Sequence, residues 1–255
     1  MKIENSVILI TGGASGIGEN IALYFYENKA IVYICDMNAE KGNKLQDDTK
    51  NKIRFIKCDI TNEEQVKSMI ETIKKEQGRL DVVINSAGIV WAEMIATDKA
   101  SHKPDTFEKV MKVNAFGSFL VSKYAAQLMC EKADSKSECN GVIIMISSVA
   151  GIEGQKGQTA YSGSKGAIIG MTLPMARDLG KYKIRVNTIA PGMFETPMTA
   201  GFRDTKVGKM ILDATPIKTF GKPLNISLTS EFIIKNDFVN GTVIRVDGGV
   251  RFPHF

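Results

Sequence analysis

The chain is poor in the residues that most often hold metals or disulfides. It has two histidines and four cysteines in 255 residues. His102 and His254 stand far apart in polar surroundings, so no metal site is expected. Cys35, Cys58, Cys130 and Cys139 form no Cys-x-x-Cys pair. That spacing predicts a reduced intracellular chain without structural disulfides. No apolar run approaches the roughly 18 residues of a membrane span, so no membrane partner is expected. The net charge is +5, but lysines and arginines alternate with acids along the presumed helices. Dispersed charge predicts solvated surfaces rather than a nucleic-acid patch, and there is no arginine-rich arm. Six residues precede the first strand-like run, which leaves no room for a secretory signal or transit peptide. A cytoplasmic location is the expectation from that start.

What is present is a regular alternation. Strand-like runs fall at 7–10, 31–35, 53–57, 81–84, 142–146, 184–189 and 242–246. Helical patterns lie between them at 17–28, 39–48, 62–76, 106–130, 160–180 and 222–235. The order predicts an α/β chain: a single-domain, Rossmann-type doubly wound parallel sheet of about seven strands with helices on both faces. One domain spans 1–255, with no repeat, low-complexity tract or linker. The least regular region is 193–215, where Met193, Phe194, Phe202, Met210 and Ile211 lie among glycines and charges. It reads either as an adaptable substrate wall or as a packing surface between subunits.

Val7-Ile-Leu-Ile10 runs into Thr11-Gly-Gly-Ala-Ser-Gly-Ile-Gly18 and then into a helical pattern. Strand, glycine turn and helix together suit a phosphate cradle, with a tight turn that holds no ligand as the other reading. Glycine admits φ > 0 and close approach, and a helix N-terminus offers free N–H groups. Gly12, Ser15, Gly16, Ile17 and Gly18 are the candidate residues. Their spacing differs from the Gly-x-Gly-x-x-Gly fingerprint of dinucleotide folds. Asp36 ends the second strand-like run, 18 residues past Gly18. A carboxylate there suits an adenosine ribose 2′-OH and repels a 2′-phosphate, which favours NAD over NADP. Capping of the next helix is the alternative.

Tyr161 and Lys165 stand one helical turn apart, and Ser148 precedes the tyrosine by 13 residues. A nearby ammonium is expected to lower the tyrosine pKa from its usual value of about 10 and make it a proton carrier. Strand alternation lets only one of Ser147 and Ser148 point inward. Asn114 lies in a helical pattern, where asparagine is a poor filler.

Thr11-Gly-x-x-x-Gly-x-Gly18, Asn85-Ser-Ala-Gly88, Asn114, Ser148, Tyr161-x-x-x-Lys165 and Pro191-Gly192 resemble the short-chain dehydrogenase/reductase family, in its order and over nearly the whole chain. Gly154 to Gly166, Gly170 to Leu179 and the polar segments 96–106 and 131–140 are similar to its type II 3-hydroxyacyl-CoA dehydrogenases, also called 17β-hydroxysteroid dehydrogenases type 10. Gly249 departs from the alanine expected in that subgroup. Pro174, inside a helical pattern, fits the subgroup and reads otherwise as a simple kink.

The resemblance implies that Tyr161 is the acid/base, that Ser148 binds the substrate oxygen, and that Asn114 holds a water near Lys165. Lys165 would lower the tyrosine pKa, bind the nicotinamide ribose, or both. Asp59 and Ile60 would meet adenine, with an N-cap as the other reading of Asp59. Asn85, Ser86, Ala87 and Gly88 would border the cofactor, with Asn85 equally a structural bridge. Pro191, Gly192, Phe194 and Thr196 would reach its nicotinamide end. Gln155 and Gln158 are substrate-side candidates. The implied reaction is NAD-dependent oxidation of short-chain 3-hydroxyacyl-CoA in fatty acid metabolism, with hydroxysteroids as further substrates. A homotetramer and a mitochondrial location follow from the same likeness. A 3-oxoacyl-carrier-protein reductase and a scaffold subunit of a tRNA-processing complex are the alternatives.

Overall fold

β-Branched runs become the strands of one seven-stranded sheet in the computed structural model, which describes residues 1–251. The strands are β1 (Val7–Thr11), β2 (Ile31–Asp36), β3 (Ile53–Lys57), β4 (Val82–Asn85), β5 (Gly141–Ile146), β6 (Ile184–Pro191) and β7 (Val243–Val246). All neighbours pair in parallel, in the order β3-β2-β1-β4-β5-β6-β7. The chain moves outward from β1 to β3, then returns to lay β4 on the other edge of β1. Ligands bind where strand order reverses in this way, beyond the carboxyl ends of the strands.

The described residues form eight α-helices: α1 (Gly16–Glu27), α2 (Ala39–Asp48), α3 (Glu63–Gln77), α4 (Pro104–Met111), α5 (Ser118–Glu131), α6 (Thr159–Leu179), α7 (Lys206–Ala214) and α8 (Pro223–Lys235). Side chains alternate along each strand, so each strand feeds two cores. Leu9, Tyr33, Val83 and Ile143 pack with Val66 and Ile70 of α3, Leu120 and Val121 of α5 and Ile168 of α6. Ile8, Ile10, Ile34 and Ile144 pack on the opposite face with Ile21 and Phe25 of α1 and Ile226 and Ile233 of α8. Polar signals set the helix ends. Asn62 caps α3 by accepting from the Gln65 N–H at 3.1 Å, and Gly78 ends it at φ 72°.

Three elements differ from the expectations. The helix expected at 106–130 is α4, a π-helical segment over Lys112–Gly117, and α5. The π segment comes where Asn114 and Gly117 weaken the α pattern. The region 193–215 holds two 3₁₀ turns and α7 rather than an irregular loop. Helix α6 runs through Pro174 without a break. His254 lies outside the described residues. Among those residues no group of acids, cysteines and histidines could hold a metal, and no helix is long and apolar enough to cross a membrane.

Candidate active site

A cavity of about 1040 Å³ opens beyond the carboxyl ends of the strands. One end is built by the turn between β1 and α1. Gly12 has φ 63°, and a Cβ there would stand 2.7 Å from the Ala87 Cα. A Cβ on Gly18 would stand 2.2 Å from the Gly12 carbonyl oxygen, so glycine alone lets α1 start this close to β1. Gly16 has φ 60°, and a Cβ there would make ordinary contact with Thr196 at 3.7 Å and Pro197 at 3.8 Å. Ser15 caps α1 without a side-chain hydrogen bond, which leaves the first-turn donors free of a protein cap. Bare glycine, free helix donors and the positive helix end fit a diphosphate.

Asp36 sits at the edge of this cradle. Its carboxylate accepts from the Ala14 N–H at 3.3 Å and the Asn38 N–H at 2.9 Å, which ties β2 to the glycine turn. Asn38, not Asp36, caps α2. Asp59 likewise does not cap α3; its carboxylate accepts from the Thr61 N–H and hydroxyl at 2.9 and 2.8 Å. Asp59 and Ile60 both line the cavity, as do Ser86, Ala87 and Gly88. Thr11, absent from the candidates, fixes that last turn: its hydroxyl accepts from the Ser86 and Ala87 N–H groups, each at 3.1 Å. A buried threonine at a strand end before a glycine turn was the available signal.

The contacts of Asn85 fit the second of its two readings, a structural bridge. The residue is buried, lies off the cavity wall, and donates to the Ser122 hydroxyl on α5 at 2.9 Å. It is a bridge between strand and helix, because the last residue of β4 turns inward. Asn114 is also off the wall, directly behind it. Its side chain accepts from the Ile89 N–H at 2.8 Å and donates to the Ile89 carbonyl and the Ser164 hydroxyl, each at 2.9 Å. A Cβ added to Gly88 would stand 3.1 Å from the Asn114 Oδ1 and 3.4 Å from the Lys165 Nζ. Asn114 thus fastens the wall that adjoins Lys165.

At the centre of the cavity stand Ser148, Tyr161 and Lys165. Ser147 is spent on structure, donating to the Lys165 carbonyl at 2.8 Å. Ser148 instead faces the Tyr161 hydroxyl and accepts from the Ala150 N–H at 3.1 Å. Lys165 is buried and donates to the Ile146 carbonyl at 2.8 Å; its ammonium lies 5.9 Å from the centre of the Tyr161 ring. Burial lowers its pKa from 10.5 to about 8. Burial raises the Tyr161 pKa, and the Ser148 contact opposes that rise. The expected lowering by Lys165 is therefore corrected: loss of water sets the direction, and the ammonium's hydrogen bond goes to the β5 backbone instead.

The rest of the wall is formed by Gln155 and Gln158 before α6, by Pro191 at the end of β6, by Gly192, Phe194 and Thr196 after it, and by Phe202, Val207, Met210 and Ile211 around α7. Lys156 and Lys206 also line it and were not singled out in the sequence. The arrangement offers a proton carrier, a second hydroxyl beside it, and a long trough that spans a phosphate cradle and an apolar chamber.

A family model described as short chain dehydrogenase matches residues 6–207. The 3-hydroxyacyl-CoA dehydrogenase type-2 of Drosophila melanogaster is 38% identical over 252 residues, covering 98% of both chains. A 3-oxoacyl-acyl-carrier-protein reductase of Thermotoga maritima is 34% identical over 255 residues, covering 98% of this chain and 99% of its own. A crystal structure of 3-hydroxyacyl-CoA dehydrogenase type-2 from Mycobacterium avium superposes with a TM-score of 0.91 at 31% identity, covering 98% of this chain and 97% of that one. The chain therefore belongs to the short-chain dehydrogenase/reductase family, oxidoreductases that act on small molecules with a nicotinamide cofactor.

Proposed function

We propose that the protein oxidises short-chain 3-hydroxyacyl-CoA thioesters to 3-oxoacyl-CoA with NAD, and works as a homotetramer. The observation that carries this reading is Ser148 and Tyr161 meeting at the middle of one trough, with Asp36 at one end and an apolar chamber at the other. Asp36 favours NAD because its carboxylate would repel a ribose 2′-phosphate. The chamber is large enough for a short acyl chain and leaves room for bulkier alcohols such as hydroxysteroids.

When bound, the nicotinamide ring takes the hydride from the carbinol carbon. The chain's own residues manage the proton and the oxygen. Ser148 donates to the substrate oxygen, and Tyr161 receives the hydroxyl proton. Because burial keeps the Tyr161 phenol protonated at neutral pH, reduction finds its acid ready. Oxidation needs the phenolate, so its rate rises with pH while the reverse rate falls at high pH.

The test is NADH oxidation at 340 nm with acetoacetyl-CoA, with NADPH in parallel. Turnover with NADH over NADPH supports the reading. Preference for NADPH moves the chain to carrier-protein reductases, and no turnover with either rejects the thioester. Asp36→Ala should erode the NADH preference; an unchanged NADH-to-NADPH ratio removes Asp36 from the ribose site.

A further inference from the structure

We propose that Lys156 and Lys206 form an anion-binding rim that selects CoA thioesters by their phosphates. This rests on the acyl-CoA reading above and adds the means of recognition.

The cavity lining carries charges of both signs. Its carboxylates among the described residues are Asp36, bonded to the glycine turn, and Asp59. Lys156, in the segment before α6, and Lys206, at the start of α7, line the same cavity with Gln155, Gln158 and Val207. Both are exposed, and neither makes an ion pair or hydrogen bond with any described residue. Arg203 and Arg251 are, by contrast, held in ion pairs. Arg203 pairs with Glu195 at 2.9 Å, and Arg251 pairs with Asp247 at 3.2 Å. A ligand that reaches this part of the lining meets two ammonium groups that no carboxylate of the described residues pairs.

Both lysines sit on fixed backbone. Lys156 precedes Gly157, whose φ is 78° and whose carbonyl accepts from the Glu93 N–H at 2.7 Å. Lys206 opens α7, where the Thr205 side chain caps the helix by accepting from the Gly208 N–H at 3.0 Å. Behind the rim the wall is Val149, Phe202, Val207, Met210 and Ile211. An acyl chain suits that apolar depth, and phosphates suit the mouth. A neutral substrate would use the depth alone.

The experiment compares acetoacetyl-CoA with the neutral thioester of N-acetylcysteamine, both with NADH. The proteins are wild type, Lys156→Gln, Lys206→Gln, the double variant and Lys209→Gln as an off-cavity control. Each rim substitution should raise KM for acetoacetyl-CoA about three- to fivefold, as for exposed charge pairs, with kcat kept. The neutral thioester should show no KM shift, and Lys156→Arg with Lys206→Arg should restore the CoA value. Added salt should raise the wild-type KM for acetoacetyl-CoA and leave the double variant flat. Equal shifts with both thioesters, or none, overturn the rim while the acyl-CoA reading stands. Failure of wild type to reduce acetoacetyl-CoA removes that reading and the rim with it.

Discussion

At the scale of single residues, Tyr161 and Lys165 do opposite things to the same fold. Tyr161→Phe should lower turnover by about 10²- to 10⁴-fold with NADH binding nearly intact, because the hydroxyl acts in proton transfer. Wild-type kcat in that variant, set against NADH fluorescence titration, would reject the assignment. Lys165 is a cost to stability. Its pKa is about 8 in the fold and about 10.4 in an unfolded chain. The unfolded chain holds the extra proton between those values, so stability rises with pH across that window. Below pH 8 the buried ammonium costs about 3 kcal/mol. Lys165→Met should therefore be inactive yet more stable at pH 7 by about 1–3 kcal/mol in urea unfolding, with the gap shrinking toward pH 10. A less stable variant at pH 7 would show that the bond to the Ile146 carbonyl outweighs burial. The identities of these residues were readable from the spacing of Ser148, Tyr161 and Lys165. The direction of the tyrosine shift was not, because depth below the surface is set by the other elements.

At the scale of elements, the strands were legible because β-branched runs have few alternative homes. The first three helices were legible because Ser15, Asn38, Asn62 and Gly78 mark their ends. The π segment was not, since an apolar pattern read at one period hides a wider turn. Asn114 holds that segment against Gly88 and Ile89. Asn114→Ala should cost about 2–4 kcal/mol, because it strands the Ile89 N–H and carbonyl without partners. Urea midpoints read the effect; a loss below 1 kcal/mol would mean that water replaces the side chain. Helix α7 was missed because its charges and Gly208 look like loop, and only the cap at Thr205 announced it.

At the scale of the whole molecule, two of the groups of exposed apolar side chains lie along helices. Phe107, Phe116 and Phe119 are exposed on the α4–α5 run, and Leu224, Leu228 and Phe232 on α8. Two such faces are where the proposed tetramer would make two kinds of contact. Phe116→Glu with Phe119→Glu should halve the assembly, read by sedimentation or light scattering; an unchanged mass would place the contact elsewhere. No single-chain pattern shows which face meets which copy, so this layer lay beyond the sequence. The π segment returns here as a change of phase. One added residue turns everything after it by about 100° around the helix axis. Helix α4 can thereby lean on α6 while α5 turns its buried side to the sheet and α3. A single unbroken rod thus serves two neighbours in different directions, as a shaft with offset teeth drives two gears. Removing one residue between Lys112 and Gly117 would mesh only one of them.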